Sequence, residues 1–291
     1  MRKILVFALL ILLLLPGCGA NAAETGSTPE SSLYIQNKGS DTIVNLALAW
    51  AERYQNEHPE VRISVTGGGS GTGIVSLING TVDIANASRT IKSEEMENAR
   101  AAGFEPQEHV IARDAIAVIV HPDNPVDSLS IAQLARIFKG EINNWSEVGG
   151  EDRLIVRVSR VSNSGTHVYF LESVVRQGRA DDKSLFAANT LLLPSSEGII
   201  AEVSDNPNAI GYDGLGYVTE DVKMVAITPP DGGESVLPAI ETVNSGDYPI
   251  SRDLYMYTRG EPTGTLKAYL DWILSDEAQQ IVADLGFVPV K

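Results

Sequence analysis

Val61-Arg62-Ile63-Ser64-Val65 alternates apolar and polar residues as a strand does, and it runs directly into the glycine-rich segment Gly67 to Gly73, GGGSGTG, after which a helical pattern begins near Thr72. Such a junction limits the chain to folds in which a strand feeds a helix through a tight turn. Glycines expose the backbone N–H groups of that turn, and the helix start adds a partial positive charge, so the place suits an anion. Two further junctions of this kind follow the same logic, at Lys38-Gly39-Ser40-Asp41-Thr42 and at Arg160-Val161-Ser162-Asn163-Ser164-Gly165-Thr166. Three hydroxyl-rich helix starts can surround one tetrahedral oxyanion.

Any one of these turns alone is ordinary, and spacing excludes the better-known alternatives. A dinucleotide fingerprint needs glycines at the first, third and sixth places, which no register of GGGSGTG supplies, and the lysine of a Walker loop is missing. An esterase elbow requires G-x-S-x-G, which neither Ser70 nor Ser164 satisfies. Neither serine has an identifiable base beside it in sequence, so a nucleophile lacks its partner. His58, His109, His121 and His167 show no metal-ligand spacing. No cofactor and no metal are expected.

Along the rest of the chain, helix and strand patterns alternate, which predicts an α/β fold with a largely parallel sheet and ligand loops at the strands' carboxyl ends. Ile43, Leu46, Ala47, Trp50, Ala51 and Tyr54 recur at three and four spacing, an amphipathic helix stopped by Pro59. Thr72–Ile78 reads as a short helix ended by Asn79-Gly80, and Val82–Ala85 as the strand leading to Asn86-Ala87-Ser88-Arg89. The continuous apolar run Ala115–Val120 suits a strand buried on both faces that crosses between lobes. Ser130 caps a helix over Ile131–Phe138 with Gly140 just past its end. Strands follow at Leu154–Ser159, Ala209–Tyr212, Met224–Ile227 and Leu254–Thr258, with helices at Thr166–Arg176, Leu266–Leu274 and Glu277–Leu285. Asn143-Asn144-Trp145 reads as a structural corner. No internal repeat is visible, and 291 residues at 43% hydrophobic content can bury a core large enough for two lobes.

The amino terminus has a different character. Arg2 and Lys3 precede the apolar run Ile4–Leu15, the pattern of a secretory signal too short to remain as a membrane span. Cys18, the single cysteine, follows Leu15-Pro16-Gly17 and resembles the lipidation site of bacterial-type lipoproteins, and the small polar residues Gly19–Ser32 read as a tether. The expected organisation is a signal over residues 1–17, a lipid anchor and tether over 18–32, and a folded part from 33. The formal charge, 22 minus 38 or −16, argues against nucleic acid and against an anionic membrane face as partners. It does not exclude an anion, because bulk charge is screened beyond about 8 Å at physiological salt while helix starts and a buried arginine act at contact distance.

Taken in order, the stretches GSDTIVNLALAWAERY, GGGSGTGIVSLINGTVDIANASR, HPDNPV, IFKGEINNW, RVSNSGT, AIGYDGLGYV, YPISRDLYMY and GFVPV resemble the phosphate-binding lipoproteins that serve high-affinity phosphate ABC importers. The resemblance covers nearly all of the chain after the leader. It implies a two-lobed type II periplasmic-binding-protein fold with two inter-lobe crossings, one lobe formed by residues 33–113 with 254–291 and the other by 114–253. It further implies capture of inorganic phosphate outside the cytoplasm by hinge closure, without catalysis. Delivery would be to a membrane-embedded ABC permease, by a monomer held to the cell membrane through its lipid only.

Within that resemblance Ser40, Asp41, Thr42, Ser70, Ser88, Arg160, Ser164, Gly165 and Thr166 are the expected phosphate-binding residues, with Arg160 as the one strong cation. One branch of the family carries an aspartate at the place of Ser88, where it accepts a hydrogen bond from the protonated phosphate. Asp41 stands where that branch has a threonine, so Asp41 is either the displaced acceptor or a helix cap, and Arg89 either pairs with a carboxylate or reaches the ligand. Binders of tungstate, molybdate or sulfate, and a serine phosphatase or esterase, are the alternative functions.

Overall fold

The computed structural model describes residues 33–291, so the leader, Cys18 and the tether lie outside the described residues. Among the described residues ten strands and nine α-helices follow one another in near alternation. They are β1 (Leu33–Gly39), α1 (Asp41–Glu57), β2 (Val61–Thr66), α2 (Ser70–Ile78), β3 (Ile84–Ala87), α3 (Ser93–Ala101), β4 (Pro106–Val120), β5 (Ser128–Ser130) and α4 (Ile131–Lys139). After a corner at Trp145–Val148 come β6 (Val156–Arg160), α5 (Gly165–Phe170), β7 (Leu191–Leu193), α6 (Ser196–Asp205), β8 (Ala209–Gly214), β9 (Lys223–Thr228), α7 (Ile240–Ser245), β10 (Ser251–Arg259), α8 (Gly264–Ile273) and α9 (Asp276–Asp284). No described helix is long and apolar enough to cross a membrane.

The strands pair in the order β2-β1-β3-β10-β4-β8-β6-β7, with β9 on β4 and β5 on β9. This order contains two parallel units. In the first, β1 lies between β2 and β3; in the second, β6 lies between β8 and β7. Each central strand therefore ends at a point where the chain leaves on one side and later returns on the other, the place at which open α/β sheets form ligand crevices. The carboxyl end of β1 carries Ser40-Asp41-Thr42, and that of β6 carries Arg160. Both junctions read in the sequence thus stand at topological switch points.

A long antiparallel pair joins the two units. The first half of β4 runs beside β10, and from Ile116 onward β4 pairs instead with β8 and β9. The apolar run Ala115–Val120 is the second half of this 15-residue strand, buried on both faces as its composition requires. Its first half escapes a periodicity reading because exposed Glu108 and Val110 alternate with partly buried Gln107 and His109.

Packing follows the apolar stripes. Ile43, Leu46, Ala47, Trp50, Ala51 and Tyr54 form the buried face of α1, and the Trp50 indole N–H donates to the Ala278 carbonyl at 2.9 Å, which ties the carboxyl-terminal α9 to the first helix. In the second unit Phe170 stacks on Tyr212 with ring centroids 3.6 Å apart, and Phe138 meets both edge-on. Ser130 caps α4 by accepting from the Gln133 N–H, with Gly140 in the left-handed region at the other end. The helix read over Thr166–Arg176 is shorter in the structure: α5 gives way at Leu171–Val175 to a wider turn. The helices α3, α6 and α7 have no strong apolar period, and the sequence reading passes over them.

Candidate functional site

Every expected site residue among the described ones lies where the two switch points meet. Ser40 caps the end of β1, its N–H donating to the Asn86 carbonyl, and the approach is close enough that a Cβ on the preceding Gly39 would sit 2.1 Å from that carbonyl oxygen. Gly39 has a φ of +149°, so glycine is required there both sterically and conformationally. Ser70 opens α2 and Ser88 follows β3. The Ser40 hydroxyl donates to Ser88 Oγ at 2.9 Å, Ser70 Oγ lies 3.3 Å from Ser88 Oγ, and the Ser88 N–H donates to Ser70 Oγ at 3.1 Å. Three serines from three loops of the first unit therefore form one buried hydroxyl cluster.

The second unit closes over it. A Cβ on Gly165, the first residue of α5, would lie 2.3 Å from Ser70 Oγ and 2.4 Å from Ser88 Oγ, so only glycine lets this helix start approach the cluster. Thr166 Oγ1 lies 2.8 Å from Thr42 Oγ1, which joins the first turns of α5 and α1, and Ser164 Oγ accepts from the Thr166 N–H. Asn163 donates to the Gly68 carbonyl at 3.0 Å and accepts from the Gly71 N–H at 3.2 Å. The Tyr217 hydroxyl donates to the Asp41 carbonyl.

Arg160 is fully buried. It donates to Asp41 Oδ2, Ser196 Oγ and the Pro194 carbonyl, each at 2.8 Å, and its Nη1 lies 3.5 Å from Asp213 Oδ2. Its Nε has no hydrogen-bond partner among the described residues. Asp41 divides its carboxylate, Oδ2 to Arg160 and Oδ1 to the Gly68 N–H at 2.9 Å. Asp41 thus makes no side-chain cap of its own helix; it bridges the glycine loop to the arginine of the opposite unit. Burial pushes the Asp213 carboxyl above the ordinary aspartate range against the pull of Arg160.

The sequence reading leaves out a second guanidinium. Arg252, on β10, donates to Asp114 Oδ2 and to Thr166 Oγ1, so it reaches the hydroxyls directly. YPISRDLYMY is one of the stretches that carry the family resemblance, but nothing local marks its arginine as facing this place. Arg89 does not turn to the hydroxyls: it forms a two-pronged pair with Glu95 at 2.8 and 2.7 Å. Of the two alternatives for Arg89, the structure has the carboxylate.

The fold is that of the PBP superfamily, whose domain profile matches residues 23–277. The chain is 34% identical over 282 residues to the phosphate-binding protein PstS of Bacillus subtilis (strain 168), covering 94% of this chain and 88% of that one. It is 33% identical over 300 residues to the phosphate-binding protein PstS of Pseudomonas aeruginosa, covering 94% and 91%. A crystal structure of a substrate-binding protein from Clostridium perfringens with bound phosphate superposes with a TM-score of 0.78 at 35% identity, over 89% of this chain and all of that one. An ABC-type phosphate transport receptor from Vibrio cholerae gives a TM-score of 0.70 at 28% identity, over 88% of this chain and 99% of that one. The chain belongs to the PstS family of phosphate-binding proteins.

The Arg89–Glu95 pair yields a stability prediction. Burial raises the Glu95 carboxyl, but hydrogen bonds from Arg89 and the Lys92 N–H and the Arg89 charge outweigh it, so the net displacement is downward. A depressed carboxyl stabilises the fold above its unfolded value, about 4.3, and loses that contribution as pH falls through the folded value. Arg89→Met should cost about 2 kcal/mol at neutral pH, roughly 5 °C in Tm, and the gap between thermal melts of both proteins should narrow as pH falls below about 4. An equal gap at pH 7 and pH 3.5 would show that the pair is not its source.

Proposed function

We propose that the chain captures inorganic phosphate outside the cytoplasm by closing two lobes upon it and passes it to an ABC permease for import. The observation that carries the proposal is the meeting of two switch points around one buried hydroxyl cluster, beside an arginine whose Nε lacks a partner among the described residues. A buried, unpaired charged N–H is costly, and an anion oxygen at that place offsets the cost. Ser40, Thr42, Ser70, Ser88, Ser164, Gly165 and Thr166 supply hydroxyls and N–H groups, Arg160 the charge, and Asp41 a carboxylate at the rim. The lobes are residues 33–113 with 254–291 and residues 114–253. The exchange of β4's partners between Ala115 and Ile116 supports that division, and hinge closure about two crossing strands needs few residues to change dihedrals.

The site binds and does no chemistry in this reading. The hydroxyls of Ser70 and Ser164 touch other hydroxyls and backbone N–H groups among the described residues and no imidazole, while His167 turns its Nδ1 to the Arg160 carbonyl and Ser159. A serine hydrolase needs a base on its nucleophile. Sulfate fits less well than phosphate, because it brings no proton to a site flanked by carboxylates.

Calorimetric titration of the chain lacking its leader should give one phosphate bound per molecule, and Arg160→Ala should weaken binding at least about tenfold, as expected for charge-assisted hydrogen bonds. A variant within about twofold of wild type would remove Arg160 from the site.

Selectivity tests Asp41. A carboxylate accepts from a protonated phosphate but meets ionised sulfate with repulsion and an unpaired acceptor. Asp41→Asn should therefore narrow the ratio of phosphate to sulfate affinity, since an amide donates to either anion, and an unchanged ratio would place the proton acceptor elsewhere.

Cys18 is the proposed lipid attachment point and anchors a monomer whose folded part stays outside the membrane. Metabolic labelling with a fatty acid should mark the full chain and not the Cys18→Ser variant. Equal labelling of both would rule out Cys18.

A further inference from the structure

Arg252 and Asp114 are directly paired residues of β10 and β4, the two strands that join the parallel units. Asp114 is fully buried and Arg252 is 6% exposed. Arg252 Nη2 donates to Asp114 Oδ2 at 2.8 Å and to Thr166 Oγ1 at 2.9 Å, with a longer approach of 3.4 Å to Thr42 Oγ1; Nη1 donates to the Ser88 carbonyl at 2.9 Å. One guanidinium so touches the junctions after β1, β3 and β6 together. A purely structural ion pair has no need of that reach.

Proton counting gives the reach a consequence. Arginine has donors only, so Thr166 Oγ1 must accept from Arg252. Thr166 and Thr42 hold two hydroxyl protons between them, and their mutual 2.8 Å bond uses one. The other proton has no acceptor within the trio. We infer that Arg252 is a positioning residue for the anion: by fixing which lone pairs of Thr166 and Thr42 are occupied, it turns the remaining hydroxyl proton toward the bound oxyanion and makes this wall of the site donor-only. Asp114 holds the guanidinium in place. The inference rests on the phosphate reading of the same site.

The test is a double-mutant cycle read by phosphate calorimetry on wild type, Arg252→Gln, Thr166→Val and the double variant, with folding checked by circular dichroism. Each single change should weaken phosphate about tenfold, and the double variant should lose no more than about threefold beyond the weaker single, because both remove the same oriented proton. Losses that multiply, or an Arg252→Gln protein binding within about twofold of wild type, would overturn the inference. If Arg252→Gln does not fold, Arg252→Lys takes its place, since it keeps the charge beside Asp114 but not the fork: a loss of about fivefold or more supports the inference, and wild-type affinity overturns it. A folded wild type that binds no phosphate overturns the phosphate reading and this inference with it, whereas multiplicative losses on a phosphate-binding wild type overturn this inference alone.

Discussion

Two buried guanidinium groups set the terms for everything around them. Taking an ion out of water costs several kcal/mol even after relaxation, so each arginine must be met by carboxylates and lone pairs on all sides. Arg160 finds Asp213 within its own strand unit but Asp41 only across the gap, and Arg252, paired with Asp114 on the neighbouring strand, reaches Thr166 of one unit and the Ser88 carbonyl of the other. The cross-unit bonds of both arginines exist only where the two units meet, and even there Arg160 Nε has no partner among the described residues. Because a guanidinium cannot accept a hydrogen bond, every hydroxyl it touches must offer a lone pair and turn its own proton elsewhere. The donor character of the site follows from the arginines, and the serines and threonines transmit it.

This resolves the conflict between a net charge of −16 and an anion as ligand. The carboxylates nearest the site are held in place by bonds of their own: Asp41 lies between Arg160 and the Gly68 N–H, and Asp213 accepts from Ser196 and the Gly214 N–H. Burial pushes Asp114 up to about 6 despite Arg252 beside it, so this carboxyl carries less than a full charge in mildly acidic solution. Surface carboxylates beyond the Debye length contribute little at the cage, while hydrogen bonds at contact distance act in a low-dielectric interior. The acidic surface and the anion site coexist because they operate at different ranges.

What could be read from the sequence was whatever is local. A strand, a glycine turn and a helix start are written in adjacent residues, so all three junctions were legible, as were the stripe on α1, the caps of α4 and the buried run Ala115–Val120. The partners were not. Asp41 posed a choice between capping and accepting, and its bonds go to Gly68 and Arg160, the latter 119 positions away. Arg252 and Asp114 are 138 positions apart and owe their pairing to strand register, which no short window contains. The first half of β4 stayed hidden because its outward residues are mixed in polarity. Pairing across a sheet is a tertiary fact, and the missing half of the site was made of it.

The position of the Arg252–Asp114 pair adds a constraint on how closure can work. The pairing of β10 with β4 slips between Leu254 and Tyr255, two residues beyond Arg252, so the ladder is irregular close to where β4 changes partners. Such an irregularity bends strands locally and leaves a backbone that yields before the regular ladder does. Opposite charges directly across an antiparallel pair favour one register, so the ion pair pins the register while the irregular backbone beside it is the more yielding. In the proposed closure, a guanidinium already bonded to Thr166 and Asp114 is then met by Thr42 and the Ser88 carbonyl of the other lobe. An arginine at the boundary between the proposed lobes is already held by its strand partner Asp114, and closure needs only to bring the opposite loops to it.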